Sequence, residues 1–321
     1  MVLAGGEGRR LRPLIRRALS DERPKQYVPL LEPRSPLRQT LDRLALRFPL
    51  SRTVVVTVRE HTDHIAREFT GVFETPYVLV QPCDRGTAAA ILHAARWIGR
   101  GDPDATIAFF PSDHFVLGEA TFMAQVADVL RAVEAQADRV ALLGAPPTAP
   151  ESEHGWMQLG GPLDGLGGVL HGVRELCARP SDARGPLGLA AGYLWNTGIM
   201  VARAERLVAL GAEALPEMSD RLDRAAAVAE SDEEPAALRQ AYALMSRTSF
   251  GHAVLGRRPE RLAASVLSRV TWCDLGSPGR VLAVLARMRV RPAWAERADA
   301  SVPGVERAAG VDLVDHPAIP A

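Results

Sequence analysis

The chain predicts an open α/β sheet with helices on both faces. Three observations carry this. Short apolar runs alternate with amphipathic stretches of helical spacing. The run at 53–58 is almost wholly β-branched, as in a strand buried on both faces. Glycines and polar residues gather just after several of these runs, where open α/β sheets bind ligands.

Strands are expected at residues 2–4, 53–58, 77–80, 106–110 and 139–143. Helices are expected at 36–48, 61–69, 88–98 and 119–137, with Gly86-Thr87 opening the third. The texture changes after Pro146. Residues 160–168 read as a glycine-rich hairpin tip, 192–201 as a strand region, and 204–245 as largely helical with an acidic break at 231–234. Strand character resumes at 261–270, and 278–288 reads as a last helix. The expected organisation is one domain, 1–290, with two halves, 1–145 and 146–290. A loosely held tail, 291–321, follows.

Composition narrows the functional classes. Lys plus Arg and Asp plus Glu both number 38, so no net field draws the chain to nucleic acid or to a membrane. Its longest apolar runs are strand-sized. Cys83, Cys177 and Cys273 are odd in number and far apart, which fits neither a disulfide framework nor a zinc site and suits a reducing cytoplasm. No charged leader precedes an apolar stretch. The first strand begins at once, so the true start is expected to lie upstream.

Two residues stand out by rarity. Lys25 is the only lysine and Asn196 the only asparagine. Lys25 follows Pro24, close behind Gly5-Gly6-Glu7-Gly8-Arg9-Arg10. Glycines after a strand let Ala4, Gly5, Gly6 and Gly8 bring backbone N–H groups to an anion. Arg10 and Lys25 can add full positive charges to it. A compact ammonium kept amid so many guanidinium groups reads as a phosphate ligand, or as a chance survivor. Asn196 suits a short amide beside a ligand, or a local turn bond.

Asp113 ends a buried strand in Pro111-Ser112-Asp113-His114, and Asp274 lies in a polar break before Gly276. Two such carboxylates converging could hold Mg²⁺ beside phosphates. Singly, each reads as a cap or turn residue. His114 reads as a helix cap or a partner of Asp113. Gln81 could meet a base edge and Gly86 admit a flat base, or the stretch is an ordinary turn into a helix. Gly155 could admit a sugar and Arg179 meet a phosphate, although a lone Arg is usually a surface residue.

Together these stretches resemble the sugar-1-phosphate nucleotidyltransferases, most closely the mannose-1-phosphate guanylyltransferases. The motifs are Gly5-Gly6-Glu7-Gly8-Arg9-Arg10-Leu11, Pro24-Lys25-Gln26-Tyr27, Gln81-Pro82-Cys83-Asp84-Arg85-Gly86-Thr87-Ala88, Pro111-Ser112-Asp113-His114, Tyr193-Leu194-Trp195-Asn196-Thr197-Gly198 and Trp272-Cys273-Asp274-Leu275-Gly276-Ser277. The resemblance implies a Rossmann-like open mixed sheet flanked by helices, the nucleotidyltransferase fold, with a smaller sugar-side β/α subregion. It implies guanylyl transfer from GTP to a hexose-1-phosphate, mannose-1-phosphate favoured. Arg10 and Lys25 would be catalytic. Ala4, Gly5, Gly6, Gly8, Gln81, Gly86 and Thr87 would bind the nucleotide, and Gly155, Arg179 and Asn196 the sugar phosphate. Asp113 and Asp274 would hold Mg²⁺.

Departures from the family pattern concentrate on the sugar side. Arg9 replaces a usual Ser or Thr, Asp84 a common Asn, Ala178-Arg179 a frequent Glu-Lys and Gly256 a frequent Glu, and Ser249-Phe250-Gly251-His252 lacks an Asp and a Tyr often seen there. Another sugar or base, or a non-catalytic nucleotide-sugar-binding paralogue, are the rival expectations. A nicotinamide dehydrogenase lacks its glycine spacing and ribose acid here. No fused isomerase is expected, and a homodimer suits such folds.

Overall fold

The structure is a computed structural model and describes residues 1–31, 33–148, 153–163, 168–177 and 192–295. Arg179 lies outside the described residues.

The strands are β1 (Val2–Leu3), β2 (Val54–Val58), β3 (Tyr77–Gln81), β4 (Thr106–Pro111), β5 (Phe115–Leu117), β6 (Val140–Ala145), β7 (Gly155–Pro162), β8 (His171–Cys177), β9 (Tyr193–Arg203), β10 (Leu262–Val266) and β11 (Thr271–Cys273). Helices of seven residues or more are α1 (Pro36–Leu44), α2 (Thr62–Glu68), α3 (Gly86–Gly101), α4 (Glu119–Ala135), α5 (Ala204–Ala214), α6 (Pro216–Ala226), α7 (Glu234–Ala243) and α8 (Pro278–Met288). Both α1 and α8 begin with Ser-Pro. Ser35 and Ser277 accept a hydrogen bond from the backbone N–H three residues on, and the proline fills a position that needs no donor.

Nine strands form one mixed sheet in the order β3-β2-β1-β4-β9-β6-β10-β8-β7. Strands β1 to β4 pair in parallel. The long β9 runs antiparallel between β4 and β6, so strands from both sides of residue 145 share one sheet. Alternate side chains divide between the two faces. Val54, Val56, Phe109, Leu142 and Met200 pack on the face that carries α3 and α5. Val55, Ala108, Phe110, Leu143 and Val201 pack on the opposite face, with α1 and α4. A third apolar cluster joins Leu11, Leu14, Val28 and Leu30 to Phe115, Leu275, Val284 and Trp294.

The predicted fold class holds. Several details differ. The arginine-rich stretch after the glycines forms a short helix (Arg12–Leu14) that runs into a π-helical turn (Ile15–Leu19). The 204–245 region breaks into three helices. Its first break falls at Leu215, because a residue before proline is pushed out of the helical region. Strand character at 261–270 divides as well: β10 joins the large sheet, while β11 pairs with β5 in a separate ribbon. Packing also continues past α8. Trp294 is buried and its indole N–H donates to the Leu30 carbonyl at 3.2 Å.

Candidate active site

The glycine loop leaves β1 at the carboxyl ends of the parallel strands. It is held from behind. Gln26 Nε2 donates to the Ala4 carbonyl at 2.9 Å and to the Gly6 carbonyl at 2.7 Å. Tyr27 OH donates to the Ala4 carbonyl at 3.0 Å. Gly8 has φ +61°, and a Cβ there would lie 3.0 Å from Lys25 Cγ. Only glycine gives both the left-handed backbone and the room.

Lys25 is the junction of a charge cluster. Its ammonium lies 2.8 Å from Asp113 Oδ2 and donates to the carbonyls of Asp274 at 3.1 Å and Leu275 at 3.3 Å. The loop before α8 therefore comes to the amino-terminal motif, as the third apolar cluster requires. Asp274 Oδ1 accepts from the Gly276 backbone N–H and from Arg280 Nη1, each at 2.9 Å, and lies 3.6 Å from His154 Nε2. A Cβ at Gly276 would fall 2.5 Å from Asp274 Oδ2 and 3.0 Å from Arg10 Nη2. Arg10 donates to Glu153 at 2.6 Å, and Arg280 bonds the same Glu153 oxygen.

Burial alone would raise the Asp274 carboxyl. The His154 ring, 3.6 Å away, and the Arg280 charge outweigh it and hold the group far below the usual carboxylate range. Burial lowers His114 to about 4. Its ring is not a cap. Nδ1 accepts from the Trp272 indole N–H at 3.2 Å, while Nε2 stands 3.9 Å from Asp113 Oδ1, beyond hydrogen-bond reach. Burial raises the neighbouring Cys273 thiol to about 12.

Among the described residues, no group of three or more His, Cys, Asp or Glu gathers for a metal. The chemistry of the two aspartates nonetheless fits Mg²⁺. Lys25 takes Asp113 Oδ2 and Arg280 takes Asp274 Oδ1. That leaves Asp113 Oδ1 and Asp274 Oδ2 as hard oxygens outside those short ion pairs, with Arg10 Nη2 at 4.0 Å from the second. Mg²⁺ commonly binds one or two carboxylates and completes its shell with water and substrate phosphate.

Beside this cluster a cavity of about 570 Å³ opens over the α3 face of the sheet. Gly5, Gly6, Gln81, Gly86, Thr87 and Asn196 all line it, as does Pro111, two residues before Asp113. Gln81 is buried, and its Oε1 accepts from Tyr242 OH at 3.2 Å. Gly86 has φ +82°, and a Cβ there would lie 2.3 Å from the Thr248 carbonyl oxygen. Its missing side chain thus makes room for the chain itself. Asn196 Oδ1 accepts from the Gly198 N–H at 2.9 Å, the local bond that was the alternative to a ligand contact. Gly155 stands opposite Asn196 in the β7–β9 register.

The structure therefore gathers ten of the predicted residues into two adjoining sets; Ala4 is in neither, being buried with its N–H donated to the Val56 carbonyl at 2.8 Å, so it offers no donor to an anion. Lys25, Arg10, Asp113 and Asp274 form the charged one. Gly5, Gly6, Gln81, Gly86, Thr87 and Asn196 form the cavity wall. Sequence reasoning missed Gln26, Glu153, Tyr242 and Arg280. For Arg280 one signal was available, since Ser277-Pro278 places it in the first turn of a helix just after Asp274. A second cavity, of about 490 Å³, lies among α3, α5, α6 and α7 and holds none of the predicted residues.

The chain spans 58% of the length of each of two curated relatives. These are the xanthan biosynthesis protein XanB of Xanthomonas campestris pv. campestris (30% identical over 287 residues, 88% of this chain) and the mannose-1-phosphate guanylyltransferase of Klebsiella pneumoniae (26% over 282 residues, 86% of this chain). Among solved structures it is similar to one described as mannose-1-phosphate geranyltransferase from Thermus thermophilus. The TM-score is 0.75 at 29% identity, covering 91% of this chain and 78% of that one. The nucleotidyl transferase family matches residues 1–289, and with the sheet and loops described above the chain belongs to that family.

Proposed function

We propose that the protein transfers a guanylyl group from GTP to mannose-1-phosphate, giving GDP-mannose and pyrophosphate. The observation that carries this is Lys25, whose ammonium touches Asp113 and the Asp274 backbone at the edge of the lined cavity. A sugar-phosphate oxygen attacks the α-phosphorus in line. The bond from the α-phosphorus to the bridging oxygen breaks, and pyrophosphate leaves with that electron pair. Such transfers rest on positioning and charge stabilisation more than on covalent help from the protein. The backbone at Gly5, Gly6 and Gly8 and the charges of Arg10 and Lys25 hold the triphosphate and offset charge on the leaving group. Gln81, Gly86 and Thr87 wall the base compartment. Gly155 and Asn196 and, on sequence alone, Arg179 receive the sugar phosphate. Asp113 and Asp274 would hold Mg²⁺, which supplies charge neutralisation at the phosphates when bound. The cytoplasm, where sugar phosphates and GTP meet, is the compartment this reading implies.

A pyrophosphate-release assay across four nucleoside triphosphates and several hexose-1-phosphates tests the reading. GTP with mannose-1-phosphate should give the highest kcat/KM. Another hexose-1-phosphate is the second reading, favoured by the apolar cavity wall of Leu142, Met200, Phe250 and Leu255 beside Gly251. Tight nucleotide-sugar binding without turnover would refute catalysis.

A further inference from the structure

The base compartment has a feature that the motifs do not account for. Gln81 and Gly86, the expected base contacts, are engaged by the protein. Gln81 takes the Tyr242 hydroxyl and donates to the Thr57 carbonyl at 3.4 Å, and the Gly86 N–H donates to Asp84 Oδ1 at 2.7 Å. Thr87 Oγ1 accepts from the Phe250 N–H at 2.9 Å. Two charged side chains share the same wall, Asp84 and Arg247. Arg247 Nη2 and Nε lie 2.8 and 3.2 Å from Asp84 Oδ2.

Their segments are fixed to each other by backbone. The Thr248 N–H donates to the Arg85 carbonyl at 2.9 Å, and the Ala88 N–H donates to the Thr248 carbonyl at 3.1 Å. Arg85 Nε donates to the Tyr242 carbonyl at 2.7 Å. The backbone is thus set while the Arg247 side chain stays 65% exposed, and an exposed pair of this kind rearranges at little cost.

We infer that the Asp84–Arg247 pair reads the guanine edge of the nucleoside triphosphate. This rests on the guanylyl reading above and adds the residues that select the base. Side by side, the guanidinium and carboxylate present donor, acceptor, acceptor. Guanine presents the complement: O6 accepts, while N1–H and the 2-amino group donate. Arginine is the common partner of guanine O6, and a carboxylate takes paired N–H donors on its two oxygens. Adenine sets a donor against Arg247 and a bare nitrogen against Asp84. Uracil and thymine set a carbonyl against Asp84. Mismatches that leave polar groups unpaired are what give a site its strongest discrimination.

The test is kcat/KM for GTP, inosine triphosphate, ATP and UTP with one fixed sugar-1-phosphate, on the full chain and two variants. Inosine differs from guanosine only in lacking the 2-amino group. The wild-type protein should favour GTP over inosine triphosphate about 10- to 100-fold, the range for a hydrogen bond to a charged group. Asp84→Asn should shrink that ratio to within about 3-fold. Arg247→Ala should lower GTP and inosine triphosphate alike, about 10-fold, and keep their ratio. Its side chain is exposed, so folding is not at stake in that variant, and an unchanged kcat/KM for GTP there overturns the inference. A wild-type preference for GTP with a ratio that Asp84→Asn leaves unmoved also overturns the inference and spares the guanylyl reading. A wild-type preference for ATP or UTP overturns both.

Discussion

Replacing Lys25 with arginine keeps the charge and changes only its shape. The ammonium meets three oxygens that converge on one point: Asp113 Oδ2 at 2.8 Å, the Asp274 carbonyl at 3.1 Å and the Leu275 carbonyl at 3.3 Å. A tetrahedral ammonium can aim its N–H groups at three such acceptors, whereas a planar fork cannot. The stem has no slack either, since Gly8 packs against Lys25 so closely that a Cβ there would lie 3.0 Å from its Cγ. A longer side chain must therefore leave at least one acceptor unmet. Losing one hydrogen bond to a charged group costs roughly 2 kcal/mol. In a chain of this size that lowers Tm by about 3 °C. Turnover should fall further, about 10²-fold, because an arginine there displaces Asp113 and the Asp274 loop, and a misplacement of about 1 Å costs that much. Calorimetry and pyrophosphate release on Lys25→Arg measure the two effects. A folded variant with kcat within about threefold of wild type would refute the argument that the ammonium's shape matters.

Other perturbations have distinct signatures. Gly86→Ala should destabilise the protein by more than about 2 kcal/mol, because its Cβ would overlap the Thr248 carbonyl and the backbone has positive φ; thermal unfolding measures it. Asp113→Asn and Asp274→Asn should each abolish most turnover and weaken Mg²⁺ binding in the presence of GTP, read by titration calorimetry. The lowered value of His114, about 4, predicts a pH effect. The unfolded chain takes up this proton near pH 6.5 and the folded chain only near 4, so stability should fall as pH drops through that window, by about 3 kcal/mol from this group. Urea unfolding at several pH values should show a shallower fall in His114→Gln.

The parts of the fold that were legible in the sequence are those set by local pattern. Buried strands read as apolar runs because both of their faces are covered, and the helices expected from residues 36 and 278 begin at Pro36 and Pro278. Lys25 was legible for a different reason: its rarity made it conspicuous. Arg247 was not, since nothing local separates it from the many other arginines, and the one local signal for Arg280, its place in a helix first turn, names no partner. Their importance comes from neighbours more than a hundred residues away, Glu153 and Asp84. Gln81 shows the converse. Its motif pointed to a ligand, and the structure gives its amide a partner in Tyr242, from a helix the sequence did not connect to it. The ribbon of β5 with β11 escaped notice because two three-residue strands carry too little periodicity to register.

The wedge of apolar side chains that seats residues 11–31 against α8 and Trp294 has a consequence for how the protein comes into being. The first motif emerges from the ribosome early, yet the carbonyls that clasp Lys25 belong to Asp274 and Leu275, some 250 positions later. Until that distant stretch arrives, the lone lysine has only part of its cradle. Contacts of such long separation form late, after the loop between them has been closed. Nascent chains halted before α8 should thus carry a preformed sheet with an unassembled charged cluster, and assembly of that cluster should coincide with docking of the last helix.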